Sequence, residues 1–324
     1  MQRLLIVSVN YRTPELCLGC IASVAAERSR LPETRMVIVD NDSGDGSYER
    51  IRTAVDERGW SDWVSVVAAD HNGGFAYGNN FAIRPALASD EPPDLIWLLN
   101  PDAEVLEGSG EALVRFLNDH PKAGMATSRW VPKDGQPATE APTAFRRFSA
   151  LGELLGTMQL HILERLFPKA VVGMWPRDEP FKADWLSGTT LMFKRAVVDD
   201  IGLMDEGYFL YFEESDYCLQ AQRKGWELWW VPDSRFYHVI GASTGFTWNS
   251  VQQRRRPAYW FYSRRRYFVK NFGAAYAVAA DSLHIVGYVG WRLRALVQRK
   301  PNLDPPHYLW DFLVNSVFAK GFKL

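Results

Sequence analysis

The sequence predicts an α/β protein built on a mostly parallel central sheet flanked by helices, and three observations carry that prediction. Four apolar runs recur in the first third of the chain: Leu4–Val9, Met36–Val39, Val64–Ala68 and Leu95–Leu99. Helical patterns separate them, as crossover connections between parallel strands require. Each run ends in a polar loop, and in a parallel sheet such loops share the carboxyl edge, where ligands bind.

Length and charge set the outline. A chain of 324 residues, 47% apolar and 23% charged, suits one large α/β domain with an appendage, or two domains. The expected division is a sheet domain over 1–250, carrying an insert or flap at 132–180, and a basic, aromatic helical extension over 251–324. The aromatic content of 14%, with 13 Trp, fits a large core, and also sugar-facing or membrane-facing surface. Before Arg254 there are 24 basic and 35 acidic side chains, and from Arg254 onward 13 and 3, so −11 and +10 make the net −1. A basic tail calls for an anionic partner, phosphate groups or a lipid surface met through 254–300, while the acidic body argues against nucleic acid. Cys17 and Cys20 have C-x-x-C spacing, but Cys218 is the only other cysteine, so no second pair exists for zinc. On one face of a helix they read as buried thiols in a reducing compartment. The N-terminal apolar run is too short for a signal peptide. No stretch of about 18 uninterrupted apolar residues predicts a membrane-spanning helix.

The elements follow in order. Leu4–Val9 is a buried strand, after which Thr13 and Pro14 open a helix as N-cap and first helical residue. Met36–Val39 runs into Asp40-Asn-Asp-Ser-Gly-Asp-Gly-Ser47. Val64–Ala68 precedes His71-Asn-Gly-Gly-Phe-Ala-Tyr-Gly-Asn-Asn80, which leads into a helix. Leu95–Leu99 must stop at Asn100-Pro101-Asp102, because Pro101 has no N–H for a ladder. Glu107–Asn118 reads as an amphipathic helix and so does the stretch near Leu151–Phe167. Asp184–Phe193 resumes sheet character, and Lys194–Ile201 is a short helix. An aromatic run, Asp205–Phe212, delivers Glu213-Glu-Ser-Asp216 at the start of the next helix. Leu228–Val231 and Phe236–Val239 read as two further strands.

Chemistry concentrates at the strand ends. Asp102, a short carboxylate closing a central strand, suits a divalent cation that carries phosphates, although Asn-Pro-Asp is also ordinary turn chemistry. Gly73, Gly74 and Gly78 allow close backbone approach to a diphosphate, or simply a tight turn. They match neither the dinucleotide fingerprint nor a Walker loop. Glu213 and Glu214 are a candidate acid pair for general-base work, with helix capping the simpler alternative. His238 in a strand is either structural or a ligand. Asp40 and Asp42 are placed to hold the base and ribose of a nucleotide.

These residues together resemble the inverting nucleotide-sugar glycosyltransferases of family 2, in particular a rhamnosyltransferase-like branch that builds surface polysaccharides. The resemblance covers roughly Leu4 to Thr244. It rests on Val9-Asn-Tyr11, Val39–Ser47, Asn72-Gly-Gly-Phe-Ala-Tyr-Gly-Asn79, Leu99-Asn-Pro-Asp102, Trp185-Leu-Ser-Gly-Thr189, Gly202–Glu206, Tyr211–Asp216 and His238–Thr244. It implies a GT-A fold. It also implies Glu214 as general base with Glu213 as runner-up, and Asp216 as an orienting acid. Nucleotide-sugar contacts would come from Asn10, Asp40, Asp42, Asn72, Gly73, Gly74, Asn79, Asn100, Trp185, Ser187 and Gly188. Asp102 and His238 would hold Mg2+ or Mn2+. Asn100 stands where the family usually has the first acid of its Asp-x-Asp, and Glu214 stands where an Asp is usual.

The implied donor is dTDP-rhamnose, with UDP-hexoses next. The acceptor would be a saccharide or a polyprenyl-diphosphate-linked glycan, and the setting the cytoplasm at the inner face of the membrane. A homo-oligomer is compatible with this. Two alternatives stay open: a nucleotidyltransferase on a similar sheet, which the absence of a Gly-rich basic loop after Val9 disfavours, and a catalytically inactive carbohydrate-binding relative.

Overall fold

The computed structural model describes residues 2–133, 140–159, 165–238 and 254–324. The chain forms two compact units, one from Met1–Phe145, Met174–Glu206 and Glu213–Thr244, the other from Arg146–Gly173, Gly207–Phe212 and Gly245–Leu324.

The first unit is laid out as β1 (Arg3–Asn10), α1 (Pro14–Glu27), β2 (Glu33–Asp40), α2 (Ser47–Glu57), β3 (Val64–Ala68), α3 (Gly74–Leu87) and β4 (Leu95–Leu99). The order β3-β2-β1-β4 is parallel throughout, as alternating strands and helices demand. β4 is buried along its whole length and stops one residue before Asn100-Pro101. Beyond β4 the sheet is mixed. β5 (Ala103–Val105), α4 (Ser109–Asp119) and β6 (Ala123–Trp130) come next, then the short strands β7 (Ala144–Phe145), β8 (Gly173–Met174), β9 (Phe181–Lys182) and β10 (Trp185–Leu186). β11 (Thr190–Lys194) is reached without a crossover helix and lies antiparallel between β4 and β6.

After α6 (Arg195–Ile201) and α7 (Glu213–Arg223), β12 (Glu227–His238) runs parallel to β6 and antiparallel to β5 and β9. Here the structure corrects the expectation of two strands. Pro232 and Asp233 read as a break, but a register shift between Val231 and Arg235 absorbs them as an irregularity within one strand. Cys17 and Cys20 are buried free thiols, as the helix face suggested, and Cys218 is buried and free as well. Thr13 sits at the N-cap of α1 but makes no capping hydrogen bond; its hydroxyl turns to Asn10 Oδ1 at 3.2 Å.

The second unit holds α5 (Ala150–Met158), α8 (Ala258–Val297, kinked at Gly273), α9 (Tyr308–Asn315) and α10 (Val317–Lys320). Of the helix expected near Leu151–Phe167, α5 forms the first part and ends at Met158, where Gln159 takes a left-handed φ of 51°; residues 160–164 lie outside the described residues, and 165–166 are again helical. α5 packs closely on α8 because Gly287 has no Cβ to meet Thr157 and the Leu154 carbonyl. A polar knot is sealed within this unit. The Arg264 guanidinium reaches Asp281 at 2.5 Å and Glu153 at 3.0 Å, and His284 bridges Glu153 and the Tyr308 hydroxyl. Burial alone would raise the Glu153 carboxyl, but Arg264 and His284 outweigh it and hold it at about 2. The basic runs therefore differ from expectation. Arg264 is buried in the knot, Arg265 donates to the carbonyls of Gly321 and Lys323, and Arg255 pairs with Asp311.

Candidate active site

Parallel registry brings the first pieces together. Asn10 and Asp40 end neighbouring strands side by side, and the Asn10 amide donates to Asp40 Oδ2 at 2.8 Å. Ser43 completes the pair: its N–H meets Asp40 Oδ1 at 3.0 Å, and its hydroxyl donates to Oδ2 at 2.7 Å. The Arg12 N–H and guanidinium close on Ser43 in turn. Asp42, one residue earlier, is exposed in a left-handed conformation with φ 57° and takes no part in this cluster. Ser43 was not singled out from the sequence. The signal was there in Asp-x-x-Ser, where an Asp side chain accepts from the backbone a few residues on.

The next loop is tied to the same edge. Asn41 donates to Asn72 Oδ1 at 3.0 Å and to the Gly74 carbonyl at 3.1 Å, and Asn72 Oδ1 also accepts the Gly74 N–H. Gly74 adopts φ +86°, which a side chain rarely tolerates. A Cβ on Gly78 would stand 2.6 Å from Val9 Cγ1, so this glycine lets α3 press on β1. Asn79 is turned inward to the Phe75 carbonyl, at 2.9 Å. Asn80, also unforeseen, ties α3 to Met204 and Glu206.

The antiparallel return of β11 adds Trp185, Ser187 and Gly188. The Asn100 N–H donates to the Thr189 carbonyl at 2.9 Å, so the loop before β11 lies beside the end of β4. The Ser187 hydroxyl contacts Thr189 Oγ1, and Trp185 stacks on Phe145 at 4.0 Å. Gly188 is the junction. A Cβ there would be 3.0 Å from the Phe75 ring and 3.9 Å from Glu214 Cβ, so loop, α3 and the acid pair converge.

Glu213 and Glu214 open α7, with Asp216 in the same first turn. Burial raises the Glu214 carboxyl to about 7, although N–H groups of Glu214 and Gly188 donate to it. Burial, and then the charge of Glu214, push Glu213 well above the carboxylate range. One oxygen of each, Oε2, has no hydrogen-bond partner. Asp216 Oδ1 accepts from Gln220 at 3.3 Å and faces the helix. The two residues before the pair, Tyr211 and Phe212, carry left-handed φ values of 68° and 70°. Such backbone costs roughly 1–3 kcal/mol per residue. Phe212 is held by Phe148 and Tyr267.

Asp102 and His238 meet through the β5–β12 pairing, where Ala103 lies opposite His238. His238 Nε2 stands 3.2 Å from Asp102 Oδ1, and that buried oxygen has no hydrogen-bond donor. An undonated carboxylate oxygen beside an imidazole nitrogen is a donor set that a divalent cation such as Mn2+ accepts. Among the described residues no three His, Cys, Asp or Glu side chains cluster as a metal site, so Asp102 and His238 are the candidate pair there. The remainder of the His238–Thr244 motif lies outside the described residues.

A half-parallel, half-mixed sheet with its polar groups gathered at the carboxyl edge is the architecture of GT-A glycosyltransferases. The fold is similar to that of GalNAc-T7 with UDP, GalNAc and Mn2+ (TM-score 0.55, 13% identity, 93% of this chain and 59% of that one). It is also similar to the mannosyltransferase PcManGT of Pyrobaculum calidifontis in complex with GDP-Man and Mn2+ (TM-score 0.54, 12% identity, 98% and 83%). The chain belongs to the family described as glycosyltransferase like family 2, whose profile matches residues 2–260. It is 26% identical over 225 residues to the low-salt glycan biosynthesis hexosyltransferase Agl10 of Haloferax volcanii. That match takes in 68% of this chain and about three-fifths (61%) of the relative's length. It is 27% identical over 258 residues to the N-acetylglucosaminyl-diphospho-decaprenol L-rhamnosyltransferase of Mycobacterium tuberculosis, covering 74% of this chain and 77% of the relative.

Proposed function

We propose that the chain is an inverting glycosyltransferase that moves a hexose or deoxyhexose from a nucleoside diphosphate sugar to a hydroxyl of a saccharide or polyprenyl-diphosphate-linked acceptor. The setting is surface polysaccharide synthesis at the inner face of the cell membrane. Rhamnose from dTDP-rhamnose is the favoured donor group, UDP-hexoses the next. The name of the mycobacterial relative supports both the rhamnosyl donor and the polyprenyl acceptor.

One observation carries the reading: a buried carboxyl, Glu214, poised near neutrality with a free oxygen, beside a second acid that burial pushes well above the carboxylate range. A base with a pKa near the working pH is the most effective one. Glu214 takes the proton of the acceptor hydroxyl as its oxygen bonds to the anomeric carbon. The bond from that carbon to the diphosphate breaks, and inversion follows from this single displacement. Asp216 holds the first turn of α7 through Gln220. Asn10, Asp40, Asn72 and the Asp42 loop hold base and ribose. Gly73 and Gly74 admit the diphosphate, and Asn79, Asn100, Trp185, Ser187 and Gly188 bound the sugar. Asp102 and His238 would hold Mg2+ or Mn2+, which when bound neutralises charge on the departing diphosphate.

A thermal-shift screen of dTDP- and UDP-sugars, with and without Mn2+, identifies the donor, because a ligand of the native state raises its stability. Transfer by Glu214→Gln should then fall about 10²–10⁴-fold. Undiminished transfer would remove Glu214 from the base role.

A further inference from the structure

Of the fifteen large apolar side chains that stand exposed among the described residues, fourteen lie in the second unit, Trp175 being the exception. Five of them line one face of α8 after its kink. Val286, Val289, Leu293, Leu296 and Val297 recur at helical spacing. Leu293 is 61% exposed, Leu296 76% and Val297 84%. Ala275 and Ala279, also exposed, extend the same face toward Gly273. The buried face of this half-helix instead holds Asp281, His284, Gly287 and Tyr288. The helix is thus partly inside out: Asp281 and His284 are sealed in the knot with Arg264 and Glu153, while five large aliphatic side chains face outward.

We infer that this stripe is an in-plane membrane-docking face, its occupant an anionic lipid bilayer surface. Three features select that occupant. First, the segment from Arg254 carries +10, which favours an anionic surface and opposes a second copy presenting the same charge. Second, the cations stand at the end of the stripe. Arg299 and Lys300 are exposed just past Val297, with Lys300 Nζ 5.4 Å from the Trp291 ring centroid. That is an interfacial arrangement of Trp and Lys. Third, α8 is long and apolar enough to cross a membrane by length and composition. Its inner face, however, is committed to α5, α9 and the Asp281–Arg264 pair, so only the outer face is free to enter lipid. The docking residues are therefore these, and not the Arg264–Arg266 run, two of whose members are buried. This deepens the acceptor side of the proposed transfer, but lipid binding is read without transfer, so the two readings fail separately.

The test is flotation of the full chain with phosphatidylcholine vesicles, alone and with about 30 mol% phosphatidylglycerol. Wild type should float with the anionic vesicles. Leu293→Glu with Leu296→Glu should cut that partitioning at least about tenfold, with melting temperature and donor hydrolysis unchanged. Arg299→Gln with Lys300→Gln should weaken it about fivefold or more, only when phosphatidylglycerol is present. Three results would each overturn the inference: wild type failing to float, the double Glu variant floating like wild type, or a vesicle-free dimer that this variant disperses.

Discussion

Glu214→Gln should make the protein more stable while it disables transfer. A carboxyl raised from its ordinary 4.5 to about 7 binds its proton more tightly in the folded chain. Its stabilising contribution is complete below about pH 4.5 and is lost as pH rises through 7. Each pH unit of that difference is worth about 1.4 kcal/mol, which sets an upper bound of about 3 kcal/mol on the cost of ionising Glu214 at pH 8. Glu214 keeps a partly exposed edge, and its titration is linked to that of Glu213. Solvent screening and this sharing reduce the gain from a neutral Gln to about 1–3 kcal/mol. For a chain of this size that is a rise of about 2–8 °C in melting temperature at pH 8. The gain should shrink to a few tenths of a kcal/mol at pH 4.5, where the wild-type carboxyl is protonated in the folded state and half protonated in the unfolded one. Melting curves from pH 4.5 to 8.5 decide it. An equal gain at both ends of the range, or none at pH 8, would refute the claim that Glu214 is held near neutrality by burial. In the wild type, transfer should rise with pH and level off above about 7.

Three further outcomes follow from the geometry. Asp102→Asn should weaken Mn2+-dependent nucleotide binding at least about tenfold in calorimetry while leaving metal-free binding unaltered; unchanged metal dependence would take Asp102 out of the cation site. Glu153→Gln should destabilise the second unit by about 3 kcal/mol, because it leaves Arg264 and His284 without their buried carboxylate partner. The wild-type carboxyl is depressed to about 2, so its stabilisation is present above 4.5 and should fade as pH drops toward 2, which chemical denaturation across that window measures. Gly78→Ala forces a Cβ to within 2.6 Å of Val9 and should cost about 1–3 kcal/mol in urea unfolding.

The half of the fold that follows local rules was open to reading. Alternating apolar runs and helices called for parallel strands, though not for the order β3-β2-β1-β4, and Pro101 marked the end of β4. Asn10 and Asp40 could be paired from the sequence, because parallel registry aligns strand ends. The antiparallel return of β11 could not, since it depends on a connection without crossover geometry, and Pro232 hid the continuity of β12. The acids at 213 and 214 were visible as a cluster, but not that one N–H from Gly188 would reach Glu214. The tail misled for a physical reason. Arginines in a row look like a solvated run, yet helical spacing turns Arg264 and Arg265 inward, where Asp281, Glu153 and chain-end carbonyls neutralise them. The lipid-facing candidates are aliphatic residues that ordinary reading assigns to a core.

The acid pair also explains why an enzyme handling anionic donors tolerates two adjacent carboxylates. A nucleoside diphosphate sugar brings two negative charges, and two ionised glutamates at the same edge would repel it. Burial of Glu213, with Glu214 beside it, pushes its carboxyl well above the usual carboxylate range and favours the protonated form, so the pair presents less than two full negative charges to the site. Burial raises the Glu214 carboxyl to about 7, where a base is most effective. On this account Glu213→Gln, which replaces a protonated acid by a neutral amide, should leave the charge seen by the donor and the pH profile of transfer almost unchanged, with at most a modest fall in the plateau rate. A profile that shifts toward acid would mean that Glu213 carries charge in the neutral range and that this charge, and not burial alone, raises Glu214.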